Sequence, residues 1–153
     1  MRKSAGILLY RFNRSRGIEL FLVHPGGPFW KGKEIGAWSI PKGEYMNDEE
    51  PLAAAIREFK EETGRPVSGH FVPLTPIKQK AGKLVSAWAV EGNINAEAIV
   101  SNTFKIQWPP KSGRWQTIPE VDKGGWFSIA EAMNKINPAQ AAFIHELLTL
   151  LTS

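Results

Sequence analysis

Three glutamates, Glu58, Glu61 and Glu62, stand at i, i+3 and i+4 in a stretch rich in alanine and glutamate. From about Pro51 to Thr63 the composition and the spacing of Leu, Ile and Phe predict a helix. At about 100° per residue, Leu52, Ala55, Ile56 and Phe59 gather on one face, and the three glutamates gather on a second. Like charges at this spacing cost about 0.2–0.5 kcal/mol per pair on an exposed helix. A face built only for solubility would interleave lysine. Grouped carboxylate oxygens are what a hard divalent cation takes, Mg²⁺ above all. Gly43, just upstream, permits close approach of a cation or phosphate to the main chain, and its carbonyl would then face the acids. The plain alternative is a solvated acidic face.

The neighbouring residues narrow the choice. Gly43, Glu49, Arg57, Glu58, Phe59, Glu61, Glu62 and Gly64 fill the pattern Gly-x5-Glu-x7-Arg-Glu-U-x-Glu-Glu-x-Gly, where U is a bulky apolar residue. This resembles the Nudix box of the Nudix hydrolases. One position departs: Arg65 stands where an aliphatic residue is usual, and Val67 is the nearest candidate for its packing. The resemblance implies an α/β fold, an α/β/α sandwich with a mixed β-sheet, formed by a single domain over residues 1–153. It implies metal-assisted attack of water on a diphosphate, because a polyphosphate repels an anionic nucleophile unless cations neutralise its oxygens. Gly43, Glu58, Glu61 and Glu62 are then the expected ligands of Mg²⁺ or Mn²⁺. Arg57 would orient Glu58 and pair with Glu49. Arg57, Glu58, Glu61 and Glu120 are the catalytic candidates; Glu120, six residues before Trp126-Phe127, is expected to be a fourth carboxylate, either base or ligand. Glu91 and Asp122 compete with it for that role.

Around the motif, Ser4 to Phe12 and Ile18 to His24 read as two strands of a hairpin joined by the polar turn Asn13 to Gly17. Phe29 to Gly36, after Pro25-Gly-Gly-Pro28, reads as a loop. A strand should end near Pro41. Asn47 or Asp48 is the expected cap of the acidic helix, with Pro51 in its first turn and Gly64 at its end. Phe71 to Lys78 is an irregular strand and Lys83 to Glu91 a central one. Glu97 to Val100 is a helical turn, Phe104 to Trp108 a strand, Pro109 to Arg114 a loop, and Gly125 to Phe127 a last short strand. Ser128 and Glu131 form a capping box for a helix from Ile129 to about Lys135. Pro138 opens a final helix with an apolar stripe of Phe143, Leu147, Leu148 and Leu151.

Composition bounds the rest. The 153 residues, 42% hydrophobic and 22% charged, suit one ordinary globular domain. There is no cysteine, which excludes disulfide and thiol chemistry and fits a cytoplasmic protein. The N-terminal apolar run stops at Arg11 with no cleavage site, and nothing has membrane-spanning length. His24, His70 and His145 are scattered and make no ligand spacing. A net charge of +4 suits a polyanionic substrate.

Trp30, Trp38 and Lys42 are the expected substrate-binding residues, the tryptophans by stacking on a base and the lysine by meeting a phosphate. Lys31, Lys33, Lys78, Lys80, Lys83 and Arg114 are further candidates for phosphates. Trp38-Ser-Ile-Pro-Lys-Gly-Glu44, with Ser4-Ala-Gly6, is similar to the subgroup acting on diadenosine polyphosphates and diphosphoinositol polyphosphates. The expected substrate is therefore a dinucleoside polyphosphate. A pyrophosphohydrolase of (d)NTPs is the second reading, and a module that binds nucleotide or RNA without cleaving it is the third. Neither a nucleic-acid partner nor a membrane is expected, and the oligomeric state stays open, a homodimer included, with the Trp108–Trp115 insertion a contact surface for it.

Overall fold

The computed structural model describes residues 1–152. Strands β1 (Lys3–Phe12) and β2 (Ile18–Pro25) form the expected hairpin, with Tyr10 opposite Leu20 and Phe12 opposite Ile18. β1 also pairs with β3 (Lys42–Glu44), antiparallel, and with β6 (Leu84–Glu91), parallel. The parallel pair makes the sheet mixed. β4 (Val72–Pro73) and β5 (Ile77–Lys78) both lie antiparallel on β6, and β9 (Val121–Ser128) closes the other side against β2. The order is β4-β6-β1-β2-β9, with β3 and β5 as short additions.

Helix α1 (Pro51–Thr63) covers one face of this sheet; α2 (Ile129–Lys135) and α3 (Ala141–Thr152) cover the other. Alternation along β1 sorts its side chains between the two layers. Ala5, Ile7 and Leu9 join Phe21, Ala54, Ala55 and Phe59 in the core under α1. Leu8 joins Leu20, Leu22, Phe143, Ile144 and Leu147 in the core under α2 and α3. This is the α/β/α sandwich. Among the described residues no helix is long and apolar enough to cross a membrane.

Several boundaries differ from the expectation, each for a local reason. The cap of α1 is Glu50, with no side-chain cap bond, rather than Asn47 or Asp48. Pro51 at the first helical position forces the residue before it into extended backbone, and Glu50 has φ −65° and ψ 135°. Asn47 Oδ1 instead accepts from Lys3 Nζ at 3.3 Å. The Phe71–Lys78 strand is broken into β4 and β5, two residues each, with Pro73 and Pro76 in the span. The last helix begins as a 3-10 turn at Pro138–Gln140 and becomes α-helical only at Ala141. Two larger differences concern the region before it. β9 is eight residues long, and a separate hairpin of β7 (Thr103–Gln107) and β8 (Trp115–Pro119) stands off the main sheet.

Other features stand as expected. Gly64 ends α1 in the left-handed conformation, φ 71°, and donates its N–H to the Lys60 carbonyl at 2.7 Å. Ser128 and Glu131 make the full capping box on α2.

Candidate active site

The last two turns of α1 present Glu58 and Glu62 towards the corner where β3 ends and Glu120 joins β8 to β9. Carboxylate oxygens of Glu58, Glu62 and Glu120 all lie within 4.8 Å of one another. Glu120 is therefore brought to the helix across 58 residues of chain, as expected of a fourth carboxylate. Two backbone bonds hold it there: its N–H donates to the Asn102 carbonyl at 2.8 Å, and its own carbonyl accepts from Gly26 at 3.0 Å. Asn102 in turn donates to the Glu61 carbonyl at 2.8 Å.

Glu61 lies beside this trio rather than in it, its carboxylate held by Arg57. Arg57 Nη1 donates to Glu61 Oε2 at 2.8 Å and to Glu58 Oε1 at 2.9 Å. The other edge of the same guanidinium grips Glu49 with two bonds, 2.8 and 2.9 Å. The expected pairing with Glu49 and the orienting contact with Glu58 are both present. A bidentate pair fixes direction as well as distance, so Arg57 is held as a rigid fork between three acids.

Charge in the trio is poorly compensated. Burial, then the charge of Glu61, raises the Glu58 carboxyl to about 7. Burial, then Glu58 and Glu120, raises Glu62 to about 8. Burial and then Glu61 push Glu120 upward as well. Among the described residues the one backbone donor to the trio is the Lys42 N–H, 3.3 Å from Glu62 Oε1. A methyl group at Gly43 would overlap the Glu58 carboxylate, so only glycine lets β3 pass this close. Hard oxygen donors, mutual repulsion and a main chain within reach make a set that a divalent cation fits.

A cavity of about 210 Å³ adjoins the trio, with Trp30, Ser39, Lys42, Glu62, Glu120, Asn137 and Gln140 among its lining residues. Trp30 and Lys42 are thus at the site. Trp38 is not: it is 4% exposed, with its ring edge-on to His24 and Phe127 in the core and its Nε1 donating to Glu34 Oε1 at 3.1 Å. A substrate could not stack on it without opening the fold. Lys42 feels burial and the neighbouring Lys83, both of which lower its affinity for a proton. Lys78 and Lys80 lie beside Asn137 in an adjoining hollow.

Among the competitors for Glu120, Asp122 is taken by His24: Nδ1 is 2.9 Å from Asp122 Oδ1, and Nε2 is 2.6 Å from the Lys33 carbonyl. Glu91 pairs with Tyr10 across β1 and β6, away from the acids. The His24–Lys33 contact and the ion pairs of Glu34 with Lys123 and Lys135 tie down the loop that carries Trp30.

Ser39, Asn137 and Gln140 lay outside the expectation. Gln140 is 1% exposed; its Oε1 accepts from the Ile40 N–H at 3.0 Å and its Nε2 donates to Ser39 Oγ at 3.0 Å. It fixes the segment that leads into Lys42 and Gly43 from 100 residues away. Asn137 carried one local signal, an Asn before Pro, and it caps the following turn through Ala139 N at 3.0 Å.

Comparison with known proteins adds the lineage. A family model described as the NUDIX domain matches residues 1–147. The chain is 32% identical over 84 residues to the mRNA-decapping enzyme subunit 2 of Arabidopsis thaliana, covering 52% of this chain and 22% of that protein. It is 28% identical over 119 residues to the mRNA-decapping protein g5R of African swine fever virus, covering 77% and 47%. The chain thus spans about a fifth to a half of the length of these curated relatives. A Caenorhabditis elegans Ap4A hydrolase in a binary complex superposes with a TM-score of 0.66 at 22% identity, covering 99% of this chain and 98% of that one. The NUDIX domain of Shewanella oneidensis NrtR, complexed with ADP ribose, superposes with a TM-score of 0.67 at 14% identity, covering 97% and 87%. At these identities the structural likeness concerns the fold.

Proposed function

The chain belongs to the NUDIX domain family, and from that premise we propose that it is a metal-dependent hydrolase of a diphosphate linkage, with a dinucleoside polyphosphate as substrate. The observation that carries this reading is the trio Glu58, Glu62 and Glu120, gathered within 4.8 Å beside a cavity that also holds Lys42. Glu58 and Glu62, with the Gly43 carbonyl and with Glu61 at the margin, would hold Mg²⁺ or Mn²⁺. Such an ion supplies positive charge to the phosphate oxygens and makes water more acidic.

The chain's own groups do the rest. Lys42 meets a phosphate oxygen on the far side of the acids, and Trp30 offers a face to a base. Arg57 keeps Glu58 aimed at the site. Glu120 takes the proton of the attacking water. Water adds to one phosphorus of the anhydride, the bond from that phosphorus to the bridging oxygen breaks, and the leaving phosphate departs with that oxygen. The choice of substrate rests on the similarity of Trp38-Ser-Ile-Pro-Lys-Gly-Glu44 to the subgroup acting on diadenosine polyphosphates.

A second reading has its own observation. The curated relatives are mRNA-decapping proteins, which favours the 5′ end of an RNA as the group attached to the diphosphate. Incubation with Mg²⁺ and a panel of diadenosine tetraphosphate, NTPs and capped RNA, followed by product identification, tests both. ATP plus AMP from diadenosine tetraphosphate supports the first reading, and release of the cap as a nucleotide, leaving a 5′-phosphorylated RNA, supports the second. NMP plus pyrophosphate from NTPs would replace both with a nucleotide pyrophosphohydrolase, and binding without turnover would remove the enzyme.

A further inference from the structure

The β7–β8 hairpin pairs with no other strand among the described residues. Isolated two-stranded ribbons are marginal in water, so one that persists needs something to cover it. Its inner face is anchored to the body at one end, by Ile118, while Phe104 beside it stays 42% exposed. Ile118 is buried, a methyl group at Gly27 would meet its Cδ1, and Phe104 lies opposite it in register. Alternation then turns Lys105, Gln107, Trp115 and Thr117 outward, with Lys105 opposite Thr117 and Gln107 opposite Trp115.

That outer face is unusual in two ways. Trp115 is 65% exposed. Residues 103–119 include Lys105, Lys111 and Arg114 and no acid. The salt bridges among the described residues involve none of these three cations, so their charge is not cancelled by a neighbouring acid. A ribbon that only needed solubility would mix signs and would not expose an indole.

We propose that the outer face of this arm binds single-stranded nucleic acid, with Trp115 stacking on a base and Lys105, Lys111 and Arg114 meeting the phosphates. Lys105 on β7 and Lys111 and Arg114 in the turn at its tip offer cations to a backbone that carries one charge per nucleotide, and an indole takes any base because every base has a flat face. A second copy of this chain fits poorly, since two arms of the same sign would have to meet. The arm springs from the acidic helix: Asn102, at its root, is bonded to the Glu61 carbonyl, and Glu120 is bonded to Asn102. A strand lying on the arm therefore has one end beside the cleft. Binding of this kind does not depend on hydrolysis.

Filter binding of a radiolabelled oligouridylate of about ten nucleotides, in chelator and at low salt, is the test. The protein should retain the strand. Trp115→Ala should weaken it roughly ten- to hundredfold, as expected for loss of one stacking contact. Lys105→Glu combined with Arg114→Glu should abolish it, and Lys105→Ala should reduce the salt slope by about one. Circular dichroism of each variant should match the parent. No retention by the parent, or equal retention by the Trp115 variant, would overturn the proposal. So would equal retention of a duplex, or competition by tripolyphosphate as effective as by the unlabelled strand. A dimer that dissociates on Trp115→Ala, seen by sedimentation, would assign the face to a second copy instead.

Discussion

Glu62 occupies the place where a negative charge is hardest to keep. Its carboxyl is raised to about 8 and that of Glu58 to about 7, both from an ordinary 4.5. Groups whose folded values are raised bind protons more tightly in the folded chain than in the unfolded one. Their contribution to stability is full below about pH 4.5 and is lost as pH rises through about 7 and 8. The melting temperature of the chelated protein should therefore fall between about pH 5 and pH 8.5. Mg²⁺ should raise it most at the upper end, where protons no longer compete for the oxygens. A scan by differential calorimetry with and without the ion checks both, and a flat profile would contradict the electrostatics. For Glu120, replacement by Gln removes the proton acceptor and one of three mutually repelling charges. Turnover should drop roughly 10²–10⁴-fold while the melting temperature holds or rises, as steady-state kinetics and calorimetry would read.

At the scale of elements, α1 does two jobs with two faces, and substitutions should separate them. Phe59 is fully buried against β1 and Phe21, so Phe59→Ala should cost about 3–5 kcal/mol in urea unfolding. Gly43→Ala should leave the unfolding curve close to the parent's and remove Mg²⁺-dependent activity, because the added methyl enters the space of the Glu58 carboxylate. Equal loss of stability in both would mean that β3 has no special role. The helix was legible in the chain to the residue, from Pro51 to Thr63, because apolar spacing, proline at the start and glycine at the end all agree. β9 was half hidden. Gly124 and Gly125 carry no strand signal, yet here the rings of Phe21 and Phe127 take the space their side chains would fill. Glu120 was found through its distance from Trp126-Phe127, a family regularity. Gln140 left no such trace, since what gives it a role is a contact with Ile40 across 100 residues. Trp38 lies in the core, yet an indole three residues before Pro41 reads the same in the sequence whether its ring faces water or the core.

The whole molecule sets the site at a seam. Consecutive residues of β3 look to opposite layers: Gly43 towards α1 and its acids, Lys42 towards the side walled by Ser39 and Gln140. Neither layer holds the complete site, and the sheet holds the two in register. The acids are concentrated on this seam while the chain as a whole carries +4. The net positive charge draws a polyanion in, an attraction that salt weakens, while the acids at the seam repel it until a cation neutralises them. KM for a nucleoside polyphosphate should rise several-fold between about 50 and 200 mM salt, with kcat nearly constant. A KM indifferent to salt would assign binding to Trp30 and the cavity walls alone.

The contrast between Trp38 and Trp115 has an optical consequence. One indole is 4% exposed among His24 and Phe127, and the other is 65% exposed on the arm. With Trp30, Trp88, Trp108 and Trp126 replaced by phenylalanine, emission from the first should lie to the blue and resist acrylamide, while emission from the second should lie to the red and be quenched readily. A ligand on the arm would shield the red component and leave the blue one untouched. Unfolding would merge the two. Two of the six tryptophans thus make a surface reporter and a core reporter once the other four are replaced by phenylalanine.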